Sequence, residues 1–506
     1  MLRMSKLLTA GSIIFSLGFA ACSPPEVPTP LELAGGDVLT SHADMMAFFN
    51  HLQEVTGAFS METIGTSVQG RPIVSLRFSG PGEPADGEKL KVLVFAQQHG
   101  NEPSGKEAAM ALARDIAMGD FDEFLEAVDF YLVPQVNPDG SEMEQRRNAD
   151  DFDLNRDHLP LYTPEVQAIQ SLYSSLLPHV SLDVHEYGFA GSSWVEAGLH
   201  KNFGHQIGAL SNPNSPESLR RFAWDRVMPQ LAVDLVPKDV ELNRYLLTDG
   251  PDARVRYSTT ALNDGRNGPA VYHTLSFLIE GENGITVESN IRERARKQLE
   301  TIKAFLSFFA ENADEVKAMV DHEREALANN DLPPQVALVM DYVPDPARPS
   351  VEYGVTVIET GQTETRVVED FHPLVEATLW VDRPMGYVVP GGLTGVTAVL
   401  ERHGIQFERV EAPRSATLEA YRIEGVEPTI KEDKDFLAVD VSVTREEGTI
   451  QAGDLVVWCD QMASTLIVTM LEPQSQWGLA PLPEFVSMLE PGTEFPIRRI
   501  VSVSDQ

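Results

Sequence analysis

The chain has 506 residues, of which 42% are hydrophobic, enough for a sizeable core and for more than one folded unit, which excludes a disordered tail. Lysine and arginine number 39 against 76 aspartates and glutamates, a formal charge of -37, so phosphate backbones and anionic lipid surfaces would be repelled and nucleic acid is not an expected partner. The acidic residues are spread along the chain, as on a solvated surface.

In chain order, residues 1–22 have the parts of an export signal: basic MLRMSK, apolar LLTAGSIIFSLGFAA, then Cys22. The apolar run is short for a bilayer span. GFAAC resembles the bacterial lipobox, which implies that Cys22 is lipid-modified and the mature protein is tethered to a membrane; a plain signal peptide is the alternative. Ser23 after the cysteine points to the outer membrane. The Pro-rich residues 23–37 then read as an extended spacer. Cys459 in LVVWCDQ is the one other cysteine; with no partner it is expected to fill core space.

From residue 38 to about 330, short apolar segments bounded by turns alternate with helical patterns. KVLVFA, DFYLVPQV, HVSLDV and LSFLIE read as buried parallel strands. Thr163 and Pro164 predict a capped helix start, followed by apolar Val166, Ile169, Tyr173 and Leu176. Ile291, Ala295, Leu299, Ile302 and Phe305 mark one face of another helix. The fold class is therefore α/β, with a mixed, largely parallel sheet and helices on both faces, whose ligands bind beyond the carboxyl ends of the strands. Residues 335–506 carry strand patterns in SVEYGVTVIET, TRVVEDF, ATLWVD, DFLAVDVSV and DLVVWCD, with one helical interval around LTGVTAVLERHG. This second region is expected to be a β-rich domain; scaffold, interaction surface or site cover are all open for it.

Chemistry concentrates at the ends of the apolar runs. His99 and Glu102 stand three apart where KVLVFA gives way to a helical pattern, so both side chains can converge on one ion. An imidazole and a carboxylate suit zinc, which takes three protein ligands in catalytic sites. His185, after the HVSLDV run, is the best third ligand. The neighbouring Glu186 is expected to point away. Between them QRRNADDFDLNRDH gathers Arg146, Arg147, Asn155 and Arg156 in a chain otherwise poor in positive charge.

With the turn NPDG at Asn137–Gly140, these motifs in this order resemble the M14 family of zinc metallocarboxypeptidases over roughly residues 40–320, and the HGNE form resembles its bacterial members. The resemblance implies one zinc ion held by His99, Glu102 and His185, a terminal carboxylate held by Asn155 and Arg156, and Arg146 facing the scissile carbonyl, with Arg147 as its rival. Asp153 would orient a zinc-bound histidine, and Glu280, at the end of LSFLIE, would take the proton of the attacking water, with Glu282 as the alternative. The family's mobile tyrosine is left open between Tyr257 and Tyr272. Arg266 reads as an exposed loop residue, with recognition of an acidic terminal side chain as the alternative. The expected activity is hydrolysis of the C-terminal peptide bond of peptides with a free carboxylate, by an exported, lipid-anchored enzyme of the bacterial cell envelope. Two rivals are an N-acyl amino acid deacylase of the aspartoacylase and succinylglutamate type and a non-catalytic peptide-binding lipoprotein.

Overall fold

The computed structural model describes residues 27–80, 89–329 and 332–503; Cys22 and the expected export signal lie outside them. An eight-stranded sheet runs in the spatial order Phe59–Thr66, Pro72–Phe78, Val128–Val133, Leu90–Ala96, Val180–Tyr187, Leu275–Glu282, His205–Ala209 and Leu242–Arg244. Its four central strands are those expected from the apolar runs, and they pair in parallel. Strands Phe59–Thr66, Pro72–Phe78 and His205–Ala209 add antiparallel pairings at the flanks. The arrangement is the mixed α/β class expected.

Strand parity explains the layers, because alternate side chains leave a strand on opposite faces. From Leu90–Ala96, Val92, Val94 and Ala96 enter an apolar cluster with Phe49, Ala109 and Phe305, which come from the helices His42–Thr56, Ser104–Ala117 and Ile291–Glu311. Leu93 and Phe95 enter a different cluster, with Val166, Ile169 and Tyr173 of the helix Pro164–Leu176. That helix begins as its sequence indicates: Thr163 is the N-cap, its hydroxyl accepts from Val166 N, and Pro164 takes the first position.

The second cluster continues into the C-terminal region. Val336, Leu338, Tyr387, Val399, Ile467 and Cys459 all belong to it, and Cys459 is a buried free thiol. Residues beyond 335 also complete two small sheets begun earlier in the chain. Val351–Val357 pairs with Leu199–Asn202, and Phe371–His372 with Val255–Tyr257. The C-terminal region is thus packed against one face of the eight-stranded sheet. Its largest feature is a hairpin of Arg414–Lys431 and Lys434–Ile450. The N-terminal spacer also differs from an extended tether where it is described: Val27 and Leu31 are buried, and Pro30–Leu33 forms a helical turn capped by Thr29. Among the described residues no helix is long and apolar enough to cross a membrane.

Candidate metal and substrate site

Strand Leu90–Ala96 ends in a turn before the helix Ser104–Ala117, and His99 and Glu102 occupy that turn, closed by Glu102 N–H donating to His99 O at 3.1 Å. The pair converges from a turn, where the spacing had suggested a helical face. The turn rests directly on NPDG. Asn137 caps the short helix Pro138–Glu142, accepting from Gly140 N at 2.8 Å and donating to Gln98 O at 3.1 Å. A Cβ on Gly100 would fall 2.0 Å from Gly140 C, so only glycine permits this approach. The NPDG motif therefore acts as the platform on which the His99 turn is built.

Register brings the remaining groups alongside. Glu280 is directly opposite His185 on the neighbouring parallel strand, so both side chains leave the same face near the carboxyl ends of their strands. His99, Glu102 and His185 are all buried, and one ligand atom from each lies within 4.8 Å of the others. His99 Nδ1 is 2.8 Å from Glu102 Oε1, and His185 Nδ1 is 3.0 Å from Glu102 Oε2 and 3.2 Å from His99 Nδ1. Two imidazole nitrogens and a carboxylate aimed at one point form the donor set that zinc prefers. The outer ring nitrogens are held in turn: His99 Nε2 lies 3.1 Å from Asp153 Oδ1, and His185 Nε2 lies 2.7 Å from Asp183 Oδ2. Such carboxylate partners fix the tautomer and orientation of a metal-binding histidine.

Electrostatics agree with the geometry. Burial pushes the Glu102 carboxyl up, but His99 and His185 outweigh it and hold the group ionised well below the usual carboxylate range. Burial is also opposed at Asp153, where His99 and Arg146 hold the carboxyl far down. At Glu280 burial prevails and lifts the carboxyl to about 7. Glu280 Oε2 is buried without a hydrogen-bond partner among the described residues. Such an atom is costly to keep unless it has a task.

Arg146 stands at the rim, 3.1 Å from Asp153 and 3.4 Å from Glu102. Arg147 turns away and donates to Asp151 O at 2.7 Å. Asn155 and Arg156 line the same cavity of about 490 Å³ as His99, Glu102, Arg146 and Glu280. Asn155 is fixed by Gly265 N donating to its Oδ1 at 2.8 Å. Glu186 points elsewhere, paired with Arg294 at 2.8 Å. Glu282 lies beyond the site, within 3.4 Å of the Tyr187 hydroxyl.

Three placements differ from the sequence reading. Neither Tyr257 nor Tyr272 reaches the cavity: Tyr257 packs on Phe371 and Arg244, and Tyr272 on Tyr173. Two other tyrosines line the cavity, Tyr187 and Tyr245, and it is the Tyr245 phenol that faces Glu280, raised first by burial and then by that carboxylate. Asp183 was not singled out, although its parity with His185 along one strand places both on one face. Arg266 is fully buried, bonded to Asp264 at 3.2 Å and to the Thr259 carbonyl at 2.6 Å, so it is a structural member of its loop and no exposed arginine.

Comparison with known proteins follows the same lines. Residues 45–180 match the family model described as zinc carboxypeptidase. Carboxypeptidase 2 of Trichophyton tonsurans is 24% identical over 443 residues, spanning 83% of this chain and 78% of that protein. Carboxypeptidase 2 of Trichophyton rubrum is 25% identical over 443 residues with the same shares. Among solved structures, the metallo-carboxypeptidase from Burkholderia cenocepacia superposes with a TM-score of 0.42 at 22% identity, covering 53% of this chain and 69% of that one.

Proposed function

We propose that this chain, which matches the zinc carboxypeptidase model over residues 45–180, is a carboxypeptidase of the M14 family that removes C-terminal residues from peptides at the site built around His99, Glu102, His185 and Glu280. The carrying observation is the convergence of three buried ligand atoms beside a buried carboxylate oxygen that has no other partner. A zinc ion held by His99, Glu102 and His185 would supply Lewis acidity and bring a water molecule's pKa toward neutrality.

The chain's own residues do the rest. Glu280 accepts the proton of the attacking water through its unpartnered oxygen and delivers it to the leaving amine, and a carboxyl near 7 suits both directions of transfer. Arg146 presents a guanidinium to the oxygen of the scissile carbonyl as negative charge develops there. Asn155 and Arg156 receive the terminal carboxylate, for which a planar guanidinium offers a bidentate match. Asp153 and Asp183 keep the two histidines oriented.

The test is a panel of free peptides, the same peptides amidated at the C-terminus, and N-acyl amino acids, assayed with and without a chelator. Release of the last residue from free peptides alone, abolished by chelation and restored by zinc, is expected. Release of acids from N-acyl amino acids with no peptide cleavage would overturn the reading.

The sequence before residue 27 supports a further part of this reading, attachment to the cell envelope through a lipid on Cys22. Two or three acyl chains contribute about 0.8 kcal/mol per buried methylene, enough for stable attachment. Cys22→Ala should move the protein from the membrane to the soluble fraction; a native protein recovered soluble with a mature start other than Cys22 would refute the anchor.

A further inference from the structure

One wall of the catalytic cavity comes from far along the chain. The hairpin of Arg414–Lys431 and Lys434–Ile450 closes with Lys431 opposite Lys434, leaving Glu432 and Asp433 as a two-residue turn. Both have positive φ, 50° and 61°, the conformation of a tight hairpin turn that usually selects asparagine or glycine. Non-glycine residues persist there only when their surroundings hold them, and here they are held by the catalytic region. The buried Glu432 carboxylate accepts from Thr259 Oγ1 at 2.7 Å and from Thr260 N at 3.1 Å. Asp433 pairs with Arg254 at 2.7 Å and with Arg256 at 3.0 Å.

This anchoring places the next residue, Lys434, in the cavity with Arg156. Its charged neighbours are Arg156, Arg256, Glu432 and Asp264. Both acids are committed elsewhere, Glu432 to the two threonines and Asp264 to Arg266 and the backbone N–H groups of Arg266 and Asn267. Arg256 is already matched by Asp433. Burial, followed by the Arg156 and Arg256 guanidinium groups, brings the Lys434 ammonium down to about 8, the direction expected of a cation short of a counter-charge. Arg156 makes no ion pair with an acidic residue among the described residues; its guanidinium donates to the carbonyl of its own neighbour, Asn155. Of the four cations lining the cavity, Arg146 and Arg256 are paired with carboxylates, whereas Arg156 and Lys434 have no such pair among the described residues, one more cation than a terminal carboxylate needs.

We propose that Lys434, delivered by the C-terminal hairpin, is a specificity-determining residue that pairs with the side-chain carboxylate of an acidic C-terminal residue, so that the preferred substrates are peptides ending in glutamate or aspartate. This rests on the carboxypeptidase reading and assigns the C-terminal region a part in the site. A lysine is a compact point charge on a flexible stem, suited to a side-chain carboxylate of variable position, and leaves the planar Arg156 for the fixed α-carboxylate.

The test uses zinc-loaded full-length enzyme and peptides identical except for a last residue of Glu, Gln or Lys. Hydrogen bonds between charged partners typically contribute about tenfold to a hundredfold, so the parent enzyme should favour Glu over Gln in kcat/KM by at least about tenfold. Lys434→Met should collapse that ratio toward one, Lys434→Arg should preserve most of it, and Lys434→Glu should shift preference toward the Lys-ended peptide. A parent ratio near one, or a Lys434→Met ratio equal to the parent's, overturns the proposal while leaving the carboxypeptidase reading intact. Failure of the parent to cleave any of the three overturns both.

Discussion

Glu280→Gln is expected to keep its metal and its fold while losing on the order of a hundredfold to ten-thousandfold in turnover, the range associated with a positioned general base. The structure makes the expectation specific. Glu280 lies opposite His185 in the sheet, yet it is His99, Glu102 and His185 whose ligand atoms cluster, so the amide removes a proton acceptor without removing a ligand. The amide nearly preserves size, and strand Leu275–Glu282 keeps its pairings on both sides. Because in the proposed mechanism the same carboxyl also returns the proton to the leaving amine, the loss should lie toward the upper end. His99→Ala is the control: it deletes a proposed ligand, and metal content and activity should fall together. Metal analysis and turnover on one peptide separate the two variants. Loss of metal from Glu280→Gln would make Glu280 a ligand, and near-normal turnover would place the base elsewhere.

The core of this arrangement was legible because it obeys local rules. Apolar runs ending in polar residues mark strand ends at the rim of an α/β sheet, and His185 and Glu280 follow that rule. Parity within a strand carried Glu186 away from the site and carries Asp183 into it, so the partner of His185 was readable from the same alternation that excluded its neighbour. Tyr245 was not readable. It follows a three-residue strand, Leu242–Arg244, at the sheet edge, too short to show periodicity, and only the fold brings it to Glu280. Arg266 failed for a related reason. Its loop looks polar and exposed in sequence, but Ser258, Thr259 and Asp264 enclose the guanidinium, and such a set is assembled by tertiary contacts. Least legible was the hairpin. Gly425 and Pro428 interrupt Arg414–Lys431, residues that argue against a strand when read locally. Nothing in a linear pattern links Lys434 with Arg156; that proximity follows from Glu432 and Asp433 anchoring the turn on Thr259, Thr260, Arg254 and Arg256.

The second large effect concerns the chain end. Arg156→Ala should lower kcat/KM for free peptides by on the order of a hundredfold, mostly through KM, because hydrogen bonds to charged groups contribute about 1.5–3 kcal/mol and each 1.4 kcal/mol is tenfold. The expectation follows from what surrounds the residue. Asn155 is committed through its Oδ1 to Gly265 N, and its Nδ2 sits 3.1 Å from His185 Nε2. Arg146 is engaged with Asp153 and Glu102. Arg156 is therefore the guanidinium of the cavity with no carboxylate partner among the described residues, its one hydrogen bond going to the Asn155 carbonyl. The parent enzyme should accordingly cleave C-terminally amidated peptides poorly, since an amide offers one acceptor and no charge. In Arg156→Ala the difference between free and amidated peptides should shrink, because the group that distinguishes them is gone. Arg147→Ala is the matched control, because Arg147 turns toward Asp151 and away from the cavity, and its free-to-amidated ratio should stay at the parent value. Equal cleavage of free and amidated peptides by the parent would mean that the site does not read the chain end, and an unchanged ratio in Arg156→Ala would assign the terminal carboxylate to another cation of the cavity, with Lys434 the nearest to test.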